Sequence, residues 1–227
     1  MRRYLITAFV LTGLGIAGTS PALGQAYESA AGWSGGVLIA TSLNEGAEGA
    51  DPLELKPDAT WLVSVHYDRW FGKGNVGVRA RGSFTKPKLP WVQGEREIRV
   101  YMADLGVLLR PIAPAEGNTF LPFVSGGIGF IHWGLGDGPP TTFDPAGASY
   151  RGQDALDLVA AAGLGMDFVT PWTWDEGPVV VRLEARDHLQ FSSPFDPASS
   201  DASEFGLIHN AAVVLGFHTG IGILGGR

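Results

Sequence analysis

The stretch Val179-Val180-Val181-Arg182-Leu183-Glu184-Ala185-Arg186-Asp187-His188-Leu189 decides the fold. Its odd positions are apolar apart from Asp187, and its even positions from 182 onward are Arg182, Glu184, Arg186 and His188. Side chains alternate across a strand, so one face is aliphatic and the other charged. A soluble sandwich would bury the aliphatic face and wet the charged one. A membrane barrel inverts this, turning the aliphatic face to lipid and the charged face to a polar lumen.

The amino terminus bears on that choice. Arg2 and Arg3 precede an apolar run from Leu5 to Ile16 and a small-residue exit, Ser20-Pro21-Ala22-Leu23-Gly24-Gln25-Ala26. This is the pattern of a secretory signal peptide, and the run is too short for a spanning helix. Cleavage after Gly24 or Ala26 fits; with Ala26 as the expected site, residues 1–26 are the signal and 27–227 the mature domain. Losing two arginines and no acid takes the formal charge from −7 to −9, which excludes a nucleic-acid partner. With no cysteine, an exported chain must rely on hydrogen-bond closure or a large core. Past the signal no segment is apolar enough to cross a bilayer as a helix.

Alternation recurs along the chain. A weak, glycine-rich strand over 31–41 is followed by an acidic loop over 44–60. A second strand, 61–71, sets Trp61, Val63, Val65 and Tyr67 against Ser64, His66 and Asp68, and turns through Gly72-Lys73-Gly74-Asn75. The third, 76–84, sets Val76, Val78, Ala80 and Phe84 against Arg79, Arg81 and Ser83. Residues 85–97, with Pro87, Pro90 and a basic character, read as a pattern-breaking loop. A fourth strand (98–109) opposes Asp104 to Tyr101, Leu105 and Val107; a fifth (119–133) is glycine-spaced and its phase is undetermined. The sixth (155–169) opposes Asp157 and Asp167 to Leu156, Leu158, Leu164 and Phe168; the opening stretch is the seventh, and an eighth runs from Asn210 toward Leu224 with Val213, Leu215 and Phe217 in phase.

Eight strands result, with long connections after the odd ones and shorter ones after the even. That is the signature of an all-β, antiparallel up-and-down transmembrane β-barrel, and strands of about ten residues suit a tilted bilayer crossing. Trp61 and Trp133 fall at the loop-bearing strand ends, and Trp33, Trp70, Trp172 and Trp174 at the opposite ends or turns, which reads as two aromatic belts at headgroup level. The competing fold is a secreted soluble barrel that holds a ligand.

From Phe120-Leu121-Pro122-Phe123-Val124-Ser125-Gly126-Gly127-Ile128-Gly129-Phe130 onward, together with the Arg-Leu-Glu-x-Arg-Asp strand at Arg182 to Asp187, the chain resembles the bacterial outer-membrane β-barrel domain family. These are the small eight-stranded porin-like barrels related to outer membrane protein A. The resemblance extends over residues 27–227 and implies residence in a Gram-negative outer membrane. It departs at the carboxyl end: such barrels often finish on an aromatic residue read by the insertion machinery, whereas here Phe217 is the last aromatic before Gly225-Gly226-Arg227.

A lumen shared by Arg79, Arg81, Arg182 and Arg186 with Asp68, Asp104, Asp157, Asp167 and Glu184, flanked by His66 and His188, is near neutral. An eight-stranded barrel is just wide enough for side chains to fill it, so the expectation is a closed, salt-bridged polar interior. A narrow channel or carrier for small solutes is the alternative. Catalysis is not expected. Asp187, His188, Ser192 and Ser193 cluster at the end of the seventh strand near His209, as an outer-membrane lipid acyl hydrolase or transferase would need, yet the adjacent Asp187 and His188 must face opposite ways. His66 and His188 lack further ligands for a metal, and Gly126 to Gly129 lies inside a strand instead of cradling phosphate, so no metal or cofactor is expected. The expected surroundings are outer-membrane lipid and, through loops 44–60 and 85–97, an extracellular ligand, for a monomeric protein with a structural or surface-interaction role.

Overall fold

The computed structural model describes residues 29–41, 56–91, 94–112, 114, 118–134, 155–174, 177–191 and 207–220. The signal-peptide reading, most of the acidic loop and residues 221–227 lie outside them. Among the described residues ten strands form: β1 (Ser29–Ala40), β2 (Thr60–Phe71), β3 (Val76–Thr85), β4 (Lys88–Trp91), β5 (Gly94–Glu97), β6 (Arg99–Leu109), β7 (Phe120–Gly134), β8 (Ala155–Trp174), β9 (Gly177–Gln190) and β10 (Ile208–Gly220). Eight of them close an antiparallel barrel in the order β1-β10-β9-β8-β7-β6-β3-β2. Closure leaves no sheet edge, which is what lets strands cross lipid.

The wall is built by the period of two. In β2 the even residues Leu62, Ser64, His66, Asp68 and Trp70 are buried, while Trp61, Val63 and Val65 are exposed. In β9, Arg182, Glu184, Arg186 and His188 are buried and Leu183 is exposed; in β10, Val213 and Leu215 face outward. Polarity is therefore inverted, with aliphatic groups outside and ions within, and a soluble barrel would leave that aliphatic wall in water. The phase of β7, hidden by its glycines, places Leu121, Phe123, Ile131 and Trp133 inward.

Connections differ at the two ends. At the turn end β2 joins β3 through Gly72 and Gly74, at φ of 58° and 79°, values that exclude most side chains. The segment read as a pattern-breaking loop at 85–97 carries a two-stranded ribbon, with Lys88 opposite Glu97 and Trp91 opposite Gly94. Pro90 is tolerated because in a two-stranded ribbon every residue lies on an edge. The acidic loop reaches this ribbon through the Asp58 N–H, which donates to the Lys88 carbonyl at 3.0 Å. At the turn end β8 and β9 run on past a register shift between Val169 and Thr173, carrying Trp172 and Trp174 into the open.

Candidate functional site: the barrel interior

Three ion pairs follow directly from register, because Asp68 lies opposite Arg79, Arg81 opposite Asp104, and Asp167 opposite Arg182. Arg79 grips Asp68 with Nε at 2.7 Å and Nη2 at 3.0 Å, and Arg182 grips Asp167 with Nε at 2.6 Å and Nη2 at 2.8 Å. Two-pronged contacts of this kind add directionality to charge.

Further contacts span the lumen. Arg182 Nη1 donates to Asp68 at 2.7 Å, and Glu184 accepts from Arg79 Nη1 at 3.1 Å and from Arg81 Nη1 at 2.7 Å. In the barrel order β9 stands diametrically opposite β3, so the Glu184 contacts cross the full bore. Arg81 Nε reaches Asp104 at 2.9 Å, and His188 Nε2 meets the same carboxylate at 3.1 Å. At the turn end Arg110 Nη2 donates to Asp167 at 2.6 Å, and its guanidinium lies 3.7 Å from the centroid of the Trp70 ring. The result is one continuous chain: Arg110, Asp167, Arg182, Asp68, Arg79, Glu184, Arg81, Asp104, His188. The Phe123 ring supports it from the side, 5.2 Å from the Arg79 guanidinium and 4.6 Å from that of Arg182.

Arg186 stands apart. It is buried and donates from Nη2 to the hydroxyls of Ser64 at 2.6 Å and Ser83 at 3.1 Å, with no carboxylate in ion-pair range among the described residues. His66 lies edge-on to His218, ring centroids 5.7 Å apart. Asp157 is half-buried nearer the loop end and accepts from Gln190 Nε2 at 2.7 Å, while Trp133 Nε1 donates to Gln190 Oε1 at 3.2 Å.

Above this network, toward the loop end, the interior changes character. Leu38, Leu62, Ile98, Val100, Met102, Ile131, Trp133, Val159, Ile208, Ala212 and Val214 form one buried apolar cluster. The expectation of a polar interior is thus corrected: ions occupy the middle and turn end, packed against Trp70, Leu108 and Phe123, and this apolar plug occupies most of the loop end. The plug excludes water from the charges below it, which strengthens their mutual attraction.

Two members of the expected aromatic belts are likewise corrected. Trp70 and Trp133 are buried, at 3% and 0% exposure, because each falls in the inward phase of its strand. Position at a strand end brought them into the belt reading, but alternation overrides position. Trp33, Trp61, Trp172 and Trp174 are exposed, but Trp33 pairs with Val65 in the middle of β2 instead of standing at the turn end. Trp61, Phe84, Tyr101 and His132 form an outward ladder across β2, β3, β6 and β7, successive centroids lying 5.6, 5.0 and 6.2 Å apart. The sequence reading also passed over Arg110 and His218. Carrying the alternation of β6 one step past Leu108 would have found the first, and naming the inward face of β10 the second.

Asp187 and His188 face opposite ways. Asp187 pairs outside with His209, Oδ2 to Nδ1 at 2.6 Å, while His188 sits in the lumen; Ser192 and Ser193 lie outside the described residues. Among the described residues no three His, Asp or Glu side chains converge as metal ligands.

Fold and inverted polarity together define the class: a small eight-stranded outer-membrane β-barrel protein. No family model matches the chain, and no curated protein does. Among solved structures it is similar to Neisserial surface protein A, NspA (TM-score 0.52, 6% identity, covering 86% of this chain and 97% of that one). It is similar also to the outer membrane protein OprG from Pseudomonas aeruginosa (TM-score 0.52, 14% identity, 87% and 98% covered). At these identities the likeness is one of fold.

Proposed function

We propose that the protein is a closed, monomeric membrane anchor whose activity resides in its loop-end segments, which engage an extracellular ligand. The observation that supports this is the filled bore. Nine linked residues occupy its middle and turn end and an apolar cluster most of the loop end, so a solute would have to break several ion pairs at once. A rigid scaffold of this kind carries recognition on its connections. The channel reading would need a continuous wet path. The acyl-hydrolase reading would need His188 at the lipid surface, whereas its Nε2 meets Asp104 in the interior.

The test has two arms. In planar lipid bilayers the refolded protein should show no resolved conductance steps; steady steps abolished by Arg182→Ala would instead make it a channel. In cells, deletion of Glu45 to Asp58 should reduce surface adhesion while leaving the amount of barrel in the membrane unchanged. Unchanged adhesion would remove that loop from the binding role.

A further inference from the structure

Among the described residues the outer wall carries a hollow on β3. Along the register Trp33–Val65–Gly82–Ala103, every residue points outward, yet Gly82 has no side chain and Ala103 only a methyl group. A Cβ built on Gly82 would meet nothing nearer than Val65 Cγ2 at 3.9 Å, so the glycine leaves space outside the wall. The row next toward the loop end, Val63–Phe84–Tyr101, is bulky and overhangs this gap. The result is a notch of about 430 Å³, walled by Trp33 and Val65, roofed by Val63, Phe84 and Tyr101, and floored by the backbone at Gly82.

Its depth identifies the occupant. Phe84 and Tyr101 belong to the ring ladder that begins at Trp61 and ends at His132. Trp and Tyr rings such as Trp61 and Tyr101 settle at headgroup level, so a cavity immediately beneath them lies where acyl chains begin. Its exposed lining is almost wholly apolar, because the hydroxyls of Ser64 and Ser83 behind it turn inward to Arg186, and its shape is concave. A second barrel presents a convex wall and would leave the hollow empty, whereas a flexible hydrocarbon chain can fold into it and recover dispersion contacts.

We propose that this notch is a lipid site, holding one acyl chain of a membrane lipid from the leaflet at the loop end, with Trp33 as its wall and Gly82 as the residue that makes the room. The proposal rests on the barrel spanning a membrane, which is checked separately by its retention in the membrane fraction after a high-salt wash. The full chain is refolded into nanodiscs of dimyristoylphosphatidylcholine, extracted with a mild non-ionic detergent and weighed by native mass spectrometry. The unmodified protein should carry one retained lipid, and Gly82→Leu should lose it. Gly126→Leu, which adds the same side chain at an outward glycine with open space on β7, should keep it. If Gly82→Leu does not fold, as judged by heat-dependent gel mobility, Ala103→Leu fills the hollow from the neighbouring strand. Equal retention in all variants, no retained lipid in any, or a dimer dispersed by Gly82→Leu would each overturn the proposal.

Discussion

Arg182 is the residue on which the interior turns, because it binds two carboxylates of different strands and is itself 1% exposed. Removing it leaves Asp68 and Asp167 buried with one cation fewer each. Loss of one partner from a buried ion pair costs about 3–5 kcal/mol, against about 0–1 for an exposed charge. Arg182→Ala should therefore lower the unfolding midpoint in urea far more than Arg69→Ala, which alters an exposed side chain. Equal shifts would show that the network contributes little. The inward placement of Arg182 was legible from its own neighbours, since valines and leucines occupy the alternate positions. Its partners were not. Asp68 lies 114 residues away, and the pairing depends on how the barrel staggers, which no local pattern encodes.

At the scale of elements, β8 gives up side-chain volume so that its neighbours can fill the bore. A Cβ on Gly165 would lie 2.4 Å from Cζ of Phe123 and 2.8 Å from the Leu183 carbonyl oxygen, so ring and backbone would both have to move. Overpacking of this sort costs about 1–3 kcal/mol. Gly165→Ala should destabilise the barrel by that order in equilibrium unfolding, whereas Gly126→Ala, facing outward with its nearest neighbour at 4.0 Å, should be close to neutral. Matching effects would refute the account of β8. Glycines of β7 itself, Gly126, Gly127 and Gly129, hide its phase from the sequence: where neither phase carries consistent bulk, alternation has nothing to display, and only pairing with β6 and β8 fixes the faces. Strands with bulky residues on one phase, β2, β3 and β9, were readable throughout, except at their ends, where Trp70 was assigned by position instead of phase.

At the scale of the molecule, stability depends on which medium touches which face. Leu183 lies near the middle of β9, exposed and opposite Leu215. An arginine on a lipid-facing strand costs about 2–4 kcal/mol at the bilayer midplane and about 0–1 near the interface. In phospholipid vesicles Leu183→Arg should thus be far more destabilising than Val76→Arg at the first position of β3, and in detergent micelles the gap should narrow. A Leu183→Arg barrel as stable in vesicles as the parent would refute a lipid-facing wall. The eight strands, their antiparallel order and the inverted polarity could be read from periodicity and from the sorting of long and short connections. The apolar plug could not: alternation sets Leu62 beside Ser64 and Met102 beside Asp104, but that they meet Ile131 in one cluster emerges only once their strands are placed around a common axis.

The contacts of Glu184 with Arg79 and Arg81 bridge about a hundred residues of chain and opposite sides of the wall. A partly assembled sheet, still curved like an open gutter, would hold those guanidinium groups and that carboxylate facing one another across a gap too wide to neutralise. Rolling shut is what discharges them. Closure is thereby favoured over the open sheet: an unrolled wall keeps Arg79 with Asp68 and Arg81 with Asp104 but strips Glu184 of both guanidinium partners at the depth of the hydrocarbon.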